Sequence, residues 1–398
     1  MTTTTYEQGS AGHRVDGPLA ARNRRRRWLR RFGRALAGAA VLAALYLAGT
    51  ADGRWLLRAA WEEGRILVRR RPIAELVAPG SGVDARTRGK LALVLAARAF
   101  AADSLALDAG RSFTQYTSIG RDTLLLLLTG ARRDTLAPVA WWFPIVGRVP
   151  YKGFFDAEAG RAAARALEAD GRDSYLRPAS AFSTLGWFDD PLLNTTLAQD
   201  SVDLANTVVH ELTHNTFYAP GQAAFNESFA SFVGARGAER FFAARGDTAR
   251  AAEARRRWAD EQLLGAFWAR LGQMVDSAYA AHPGDGDAAR RARLAARAAV
   301  TARGRALLAD SVAPRLSNAR GRGGDSARLR AWAARVPLDN AALLARRTYA
   351  RELPLFDRVL AREGGQLRRA VARVIVLARA RPEEPYEALR EWVEVVGS

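Results

Sequence analysis

Residues 210–234 read HELTHNTFYAPGQAAFNESFASFVG, and the architecture follows from three of them. His210 and His214 stand four apart. On a helix that spacing projects both imidazoles from one face, one turn apart, where they can share a metal ion. Glu211 points about 100° round the same helix, free to face an open coordination position as a general base instead of ligating. Asp200 and Ser201 can cap such a helix, and Val202, Ala205, Val208, Val209 and Leu212 supply its apolar stripe. The chain holds four histidines, and half of them fall in this pentapeptide.

Two nitrogens do not complete a hydrolytic zinc site, which uses three protein ligands and leaves the fourth position to water. His282 precedes Pro283-Gly284 and reads as an exposed loop residue; His13 reads as an isolated surface residue. The third candidate is Glu227. The first helix is predicted to run to Tyr218, stop at Pro220-Gly221, and be followed by an antiparallel helix from about Gln222. At 1.5 Å per residue the return brings Glu227 level with His214. Neighbouring helices lie about 8–10 Å apart, a gap that a histidine and a glutamate bridge through a metal. The alternative is a surface carboxylate. Against it, Phe225, Phe229 and Phe232 mark a buried helix, where an unpaired carboxylate is costly.

The run from His210 to Gly234 closely resembles the putative aminopeptidase family of bacterial membrane-associated zinc proteins. So do Phe143–Asp156 (FPIVGRVPYKGFFD), Ser183–Pro191 (STLGWFDDP) and the segment from Asn340 to Tyr349. The resemblance spans about residues 55–375. It implies a gluzincin-like site with His210, His214 and Glu227 as zinc ligands and Glu211 as base. The 13 positions between His214 and Glu227 are fewer than better-known gluzincins use. Several relatives carry an N-terminal lipid-attachment cysteine, which this chain lacks.

Peptide hydrolysis also needs a donor for the developing oxyanion. Tyr349, on a predicted helix with Asn340 upstream, is a candidate, and plain core is its other reading. The extended segment Ala181–Trp187, with Thr184 and Gly186, is either an ordinary strand or an edge that pairs with a substrate backbone. Tyr151, Asn226, Asn340 and Asp189 are further candidate substrate contacts. In an aminopeptidase, Asp189 or Asp190 is a candidate to hold the substrate's free amine.

Outward from the motif, 55–76 and 86–110 are predicted helices separated by Pro79-Gly80-Ser81-Gly82. Leu124–Leu128 and Val139–Val146, joined by a polar Ala-Arg-Arg-Asp turn, suggest a hairpin, although the leucine run fits a helix equally well. Residues 156–170 are predicted helical and 173–187 extended. From about 236 to 335 the chain reads as helical, with breaks near His282-Pro283-Gly284 and at Arg320–Gly324. A last helical region, 338–380, ends before Arg381-Pro382. There is no internal repeat.

With no cysteine, the 398-residue chain has no disulfide, thiolate ligand or cysteine nucleophile. Its formal charge is +19, but 58 of its 60 basic residues are arginines spread over most of its length, and no nucleic-acid motif accompanies them. Nucleic acid is therefore not an expected partner. One cluster differs: Arg22, Arg24–Arg27, Arg30, Arg31 and Arg34 crowd before the uncharged stretch Ala35–Thr50. Basic then apolar is the order of a signal peptide or anchor, and Trp28 and Trp55 flank it as interfacial residues do. A buried core helix and cleavage after Gly49-Thr50-Ala51 are the alternatives.

The expected architecture is α+β, a mainly helical zincin-like domain with a small sheet, preceded by one N-terminal transmembrane helix. Residues 1–34 form a basic cytoplasmic tail, 35–54 a signal anchor and 55–398 the peptidase domain, with the metal site in 200–235 and a helical part in 236–398. The expected activity is zinc-dependent peptide hydrolysis, as an aminopeptidase, on the periplasmic or outer face of a bacterial cell membrane. The rivals are a zinc endopeptidase and a membrane-tethered binding protein with an idle zinc site.

Overall fold

Aspartates write many of the helix starts. Asp84, Asp156, Asp200, Asp247 and Asp325 each stand just before a helix, and each carboxylate accepts from a backbone N–H of the first turn. The computed structural model describes residues 18–143, 147–179, 191–317, 325–347 and 351–394, with side chains from Trp28 onward. They divide into two units, residues 1–63 and 64–398. The chain is α+β and mainly helical.

The first unit holds α1 (Pro18–Gly49) and most of α2 (Ala51–Val68). Within α1, Trp28–Gly49 makes 22 residues of mean hydropathy 1.5, long and apolar enough to cross a bilayer. Leu36, Val41, Leu42 and Leu45 along it are exposed. Thr50 separates the helices: its hydroxyl donates to the Tyr46 carbonyl (2.8 Å) and accepts from Gly53 N (2.9 Å).

The second unit begins with β1 (Arg71–Pro72), α3 (Ile73–Val77), α4 (Ala85–Leu105), β2 (Gln115–Thr117) and β3 (Leu125–Arg132). Then come β4 (Trp141–Phe143), β5 (Gly147–Val149), β6 (Lys152–Phe154), α5 (Ala157–Ala169) and β7 (Arg172–Ala179). After β8 (Leu192–Leu193) and α6 (Asn194–Leu197), the long helices follow: α7 (Ser201–Thr216), α8 (Ala223–Ala244), α9 (Thr248–Ala280) and α10 (Asp287–Leu307). The described C-terminal helices are Ser326–Arg335, Asn340–Arg347, Leu353–Arg362, Leu367–Ala380 and Pro385–Glu394.

Among the described residues three small sheets have the orders β1-β2-β8, β6-β3-β7 and β4-β5. The leucine run is a strand. It pairs antiparallel with β7 from Leu125↔Ala179 to Arg132↔Arg172, and with β6 on its other side. Gly160 brings α5 onto this sheet, since a Cβ there would lie 3.3 Å from Phe154 Cβ and 3.6 Å from Leu126 Cβ.

Several boundaries differ from the sequence reading. The helix predicted over 55–76 ends at Val68, because the segment turns into β1 at Pro72, a residue with no N–H to continue a helix. The apolar runs around Leu124 and Val139 do not form one hairpin. The chain does fold back, with an isolated bridge at Ala131↔Pro138, but Pro138 lacks a donor and the ladder stops. The second run supplies β4, which pairs instead with β5 just beyond the run, helped by Gly147 at φ 73°. The final helical region divides at Gly364-Gly365, both at positive φ, and a further helix, Pro385–Glu394, follows where the sequence reading stopped.

The largest core gathers α4, α7, α8 and the C-terminal helices around Phe225, Phe229, Phe232, Trp258 and Phe356. A second forms between α9 and Asn340–Arg347 around Trp268, Leu271 and Leu343. α4 and α7 run parallel. Lys90 Nζ near the start of α4 donates to the carbonyls of Leu197, Ala198 and Gln199 (2.8, 3.1 and 2.6 Å) just before α7, while Asp108 N beyond the end of α4 donates to Thr216 Oγ1 (2.8 Å).

Candidate metal centre

The site is built on the α7–α8 hairpin. Asp200 caps α7 with bonds from Val202 N and Asp203 N, and Val202, Leu204, Ala205, Val208, Val209 and Leu212 are buried along it. Phe217 takes extended backbone and Gly221 (φ 77°) makes the reversal that Pro220-Gly221 announces. Asn226 holds this turn closed: Ala219 N donates to its Oδ1 and its Nδ2 donates to the Ala219 carbonyl, both at 2.8 Å. Asn226 is only 1% exposed, so its amide serves the turn itself.

Two glycines then let the helices approach. A Cβ at Gly234 would fall on Asn206 Oδ1 and lie 2.9 Å from the Asn206 carbonyl and 3.1 Å from His210 Cβ. At Gly237 it would meet Val209 Cγ1 at 2.6 Å. The opposite side of α8 is held by stacked aromatics. Phe229 and Phe232 stack on Phe356 at 5.9 and 5.6 Å between centroids, and Phe225 meets Tyr386 edge-on at 5.2 Å.

This frame points Glu227 at α7. Its carboxylate oxygens lie 3.6 Å from His210 Nε2 and 3.6 Å from His214 Nε2, and the two Nε2 atoms are 3.2 Å apart. All three candidate ligand atoms fall within 4.8 Å of one another, and all three residues are partly exposed. Two donors each about 2.05 Å from a common tetrahedral centre would be about 3.3 Å apart, so these separations suit one ion.

The electrostatics distinguish the two imidazoles. Burial opposes charge on His210, but the contact with Glu227 and the charges of Glu211, Glu227 and Glu261 outweigh it and raise its pKa. Burial and the neighbouring His210 push His214 down to about 4, which leaves its nitrogen lone pair available at neutral pH. Glu227 is held below the usual carboxylate value: His210 and His214, with Arg177, overcome the effect of burial.

Glu211 sits beside His210, partly exposed, its charge felt by that imidazole. Tyr151 is half exposed, between β5 and β6. Asn340 belongs to a different cluster. It is 1% exposed, its Nδ2 donates to the Arg132 carbonyl (2.8 Å), and its Oδ1 accepts from Tyr279 Oη (3.1 Å). Asp173, paired with Arg297 at 2.7 Å, accepts from Asn340 N. Tyr349, Thr184, Gly186, Asp189 and the segment Ala181–Trp187 lie outside the described residues.

Two residues near the centre escaped the sequence reading. Glu261 on α9 is pushed up by burial while His210 draws it down, and Arg177 on β7 reaches Glu227 with its charge. Neither has a motif: only tertiary packing brings α9 and β7 to this place.

A family model described as putative aminopeptidase matches residues 54–389. The chain belongs to the putative aminopeptidase family. The match runs from α2 into the last described helix, so it takes in the whole α7–α8 hairpin. Membership in the putative aminopeptidase family points to peptidase activity on a peptide substrate. Comparison with curated proteins and with solved structures finds no match.

Proposed function

We propose that this chain is a zinc-dependent aminopeptidase tethered to a membrane by α1, with its hydrolytic unit on the periplasmic or outer side. The convergence of His210, His214 and Glu227 within 4.8 Å carries the reading. Two imidazoles and one carboxylate are a donor set that hydrolytic zinc uses. Zinc held there would supply Lewis acidity toward the scissile carbonyl and acidify water.

The chain's own residues do the rest. Glu211 accepts a proton from the attacking water at its carboxylate and returns a proton to the leaving amine. Glu227 and His214 hold their lone pairs unprotonated near neutral pH, as ligands must. The arginine-rich segment before the apolar stretch of α1 supports the orientation, since basic flanks stay on the cytoplasmic side.

The test compares metal content and hydrolysis of a peptide library by wild type and Glu211→Gln, with and without chelator, on free and N-acetylated peptides. Chelator-sensitive cleavage restricted to free N-termini supports the proposal. Equal rates on both peptide forms would make it an endopeptidase. Zinc bound by both proteins with no cleavage by either would make it a binding protein.

A further inference from the structure

At the far end of α4 and α7 from the histidines lies a second, separate pocket of about 200 Å³. Its floor is apolar, with Leu76 and Leu91 buried and Val83 beside them. Its rim carries Arg69, Arg71, Thr87, Tyr116 and Ser118. Register brings two of these together: Arg71 on β1 faces Tyr116 on β2 as an antiparallel pair. Lys90, near this end of α4, is level with Gln199, and from Gln199 to His210 the chain rises roughly 17 Å at helical spacing.

Several arginines elsewhere in the body are held by acids. Arg236, Arg257, Arg297 and Arg390 are paired with carboxylates. The guanidinium groups of Arg69 and Arg71 have no ion-pair or hydrogen-bond partner among the described residues. Asp84, the acid whose charge reaches Tyr116, is occupied as the cap of α4, accepting from Thr87 N at 2.9 Å.

We propose that this pocket binds a phosphate oxyanion, carried on a lipid headgroup or free in solution. Two guanidinium forks, beside the mutually bonded Tyr116 and Ser118 hydroxyls, offer more donors than the two oxygens of a carboxylate can use, and they suit a tetrahedral anion with three or four. The apolar floor accommodates a short hydrocarbon portion of the molecule that bears it. This assignment is independent of the metal centre.

The experiment uses the full chain in a neutral detergent, titrated calorimetrically with inorganic phosphate, dioctanoyl phosphatidylglycerol and dioctanoyl phosphatidylcholine. Saturable binding of phosphate or phosphatidylglycerol is expected. It should weaken about tenfold or more in Arg69→Gln/Arg71→Gln, as loss of two charge-assisted contacts implies. Tyr116→Phe should weaken it less. Tighter binding of phosphatidylglycerol than of phosphate assigns a lipid source, and equal binding assigns free phosphate. Absence of saturable binding, equal binding of phosphatidylcholine, or unaltered binding by the double variant overturns the proposal. If the double variant melts below wild type, Arg71→Gln is judged by the same criteria.

Discussion

Glu211 and Glu227 are both carboxylates near the same centre, yet the proposed function gives them separate work, and substitution should separate them. Glu211→Gln keeps the volume and removes the base, so kcat/KM should fall by roughly 10²–10⁴ with zinc content unchanged. Glu227→Ala removes a candidate ligand, so metal content itself, measured by mass spectrometry on dialysed protein, should fall. Asn226→Ala tests another role. It strands the Ala219 N–H and carbonyl in a buried turn, and should cost about 2–4 kcal/mol in denaturant unfolding. At this scale the ligand candidates were legible because their spacing is local: four residues along one helix, then a short turn and back. Asn226 was read as a substrate contact because adjacency to Glu227 in sequence says nothing of where an amide's hydrogen bonds go. Glu261 and Arg177 were invisible for a related reason, since each reaches the centre from an element far away in sequence.

Between elements, the decisive dimension is the separation of α7 and α8. Gly234 and Gly237 set it by placing no side chain where Asn206, Val209 and His210 approach. Gly234→Val should force the helices apart, destabilise by about 1–3 kcal/mol, and lower zinc affinity although every ligand remains. Competition with a chromophoric chelator would measure that loss. The hairpin itself could be read from helical periodicity and Pro220-Gly221. The β elements could not. β3 chooses β7 over the nearer apolar run because Pro138 ends the local ladder and α5 covers the distant pairing, and neither effect has a sequence period. The leucine run was undecided between helix and strand for the same reason: five identical apolar residues carry no periodicity.

Across the whole molecule, a chain without cysteine relies on packing and on arginine–carboxylate pairs. Glu239 is nearly buried on α8 and meets Arg236 at 2.9 Å and Arg255 at 2.8 Å. Burial would raise its pKa, but the two arginines hold it below the usual 4.5. The unfolded chain therefore binds the proton more readily. This contribution is fully present above about pH 4.5 and is lost as pH falls through the lower folded-state value. Glu239→Gln should flatten that part of the stability–pH curve and cost roughly 1–2 kcal/mol at neutral pH. Removing residues 1–50 should move the protein from the membrane fraction to the soluble fraction while peptidase activity persists, which fractionation and assay of the truncated chain would check.

His210, His214 and Glu227 all fall within 18 consecutive residues, on two helices joined by one short turn. The centre is therefore a structure of low contact order, and the closure it needs is among the fastest steps open to a chain. During vectorial synthesis the complete donor set emerges well before Leu353–Arg362 and Pro385–Glu394, the helices whose Phe356 and Tyr386 buttress α8. On the proposed function, the hairpin could thus gather its metal before those helices are made. Rigidity comes later, when those aromatics arrive. On the proposed function, cleaving power would depend on those later helices, and a copy still without them would carry its candidate ligands on a hinge that is not yet braced.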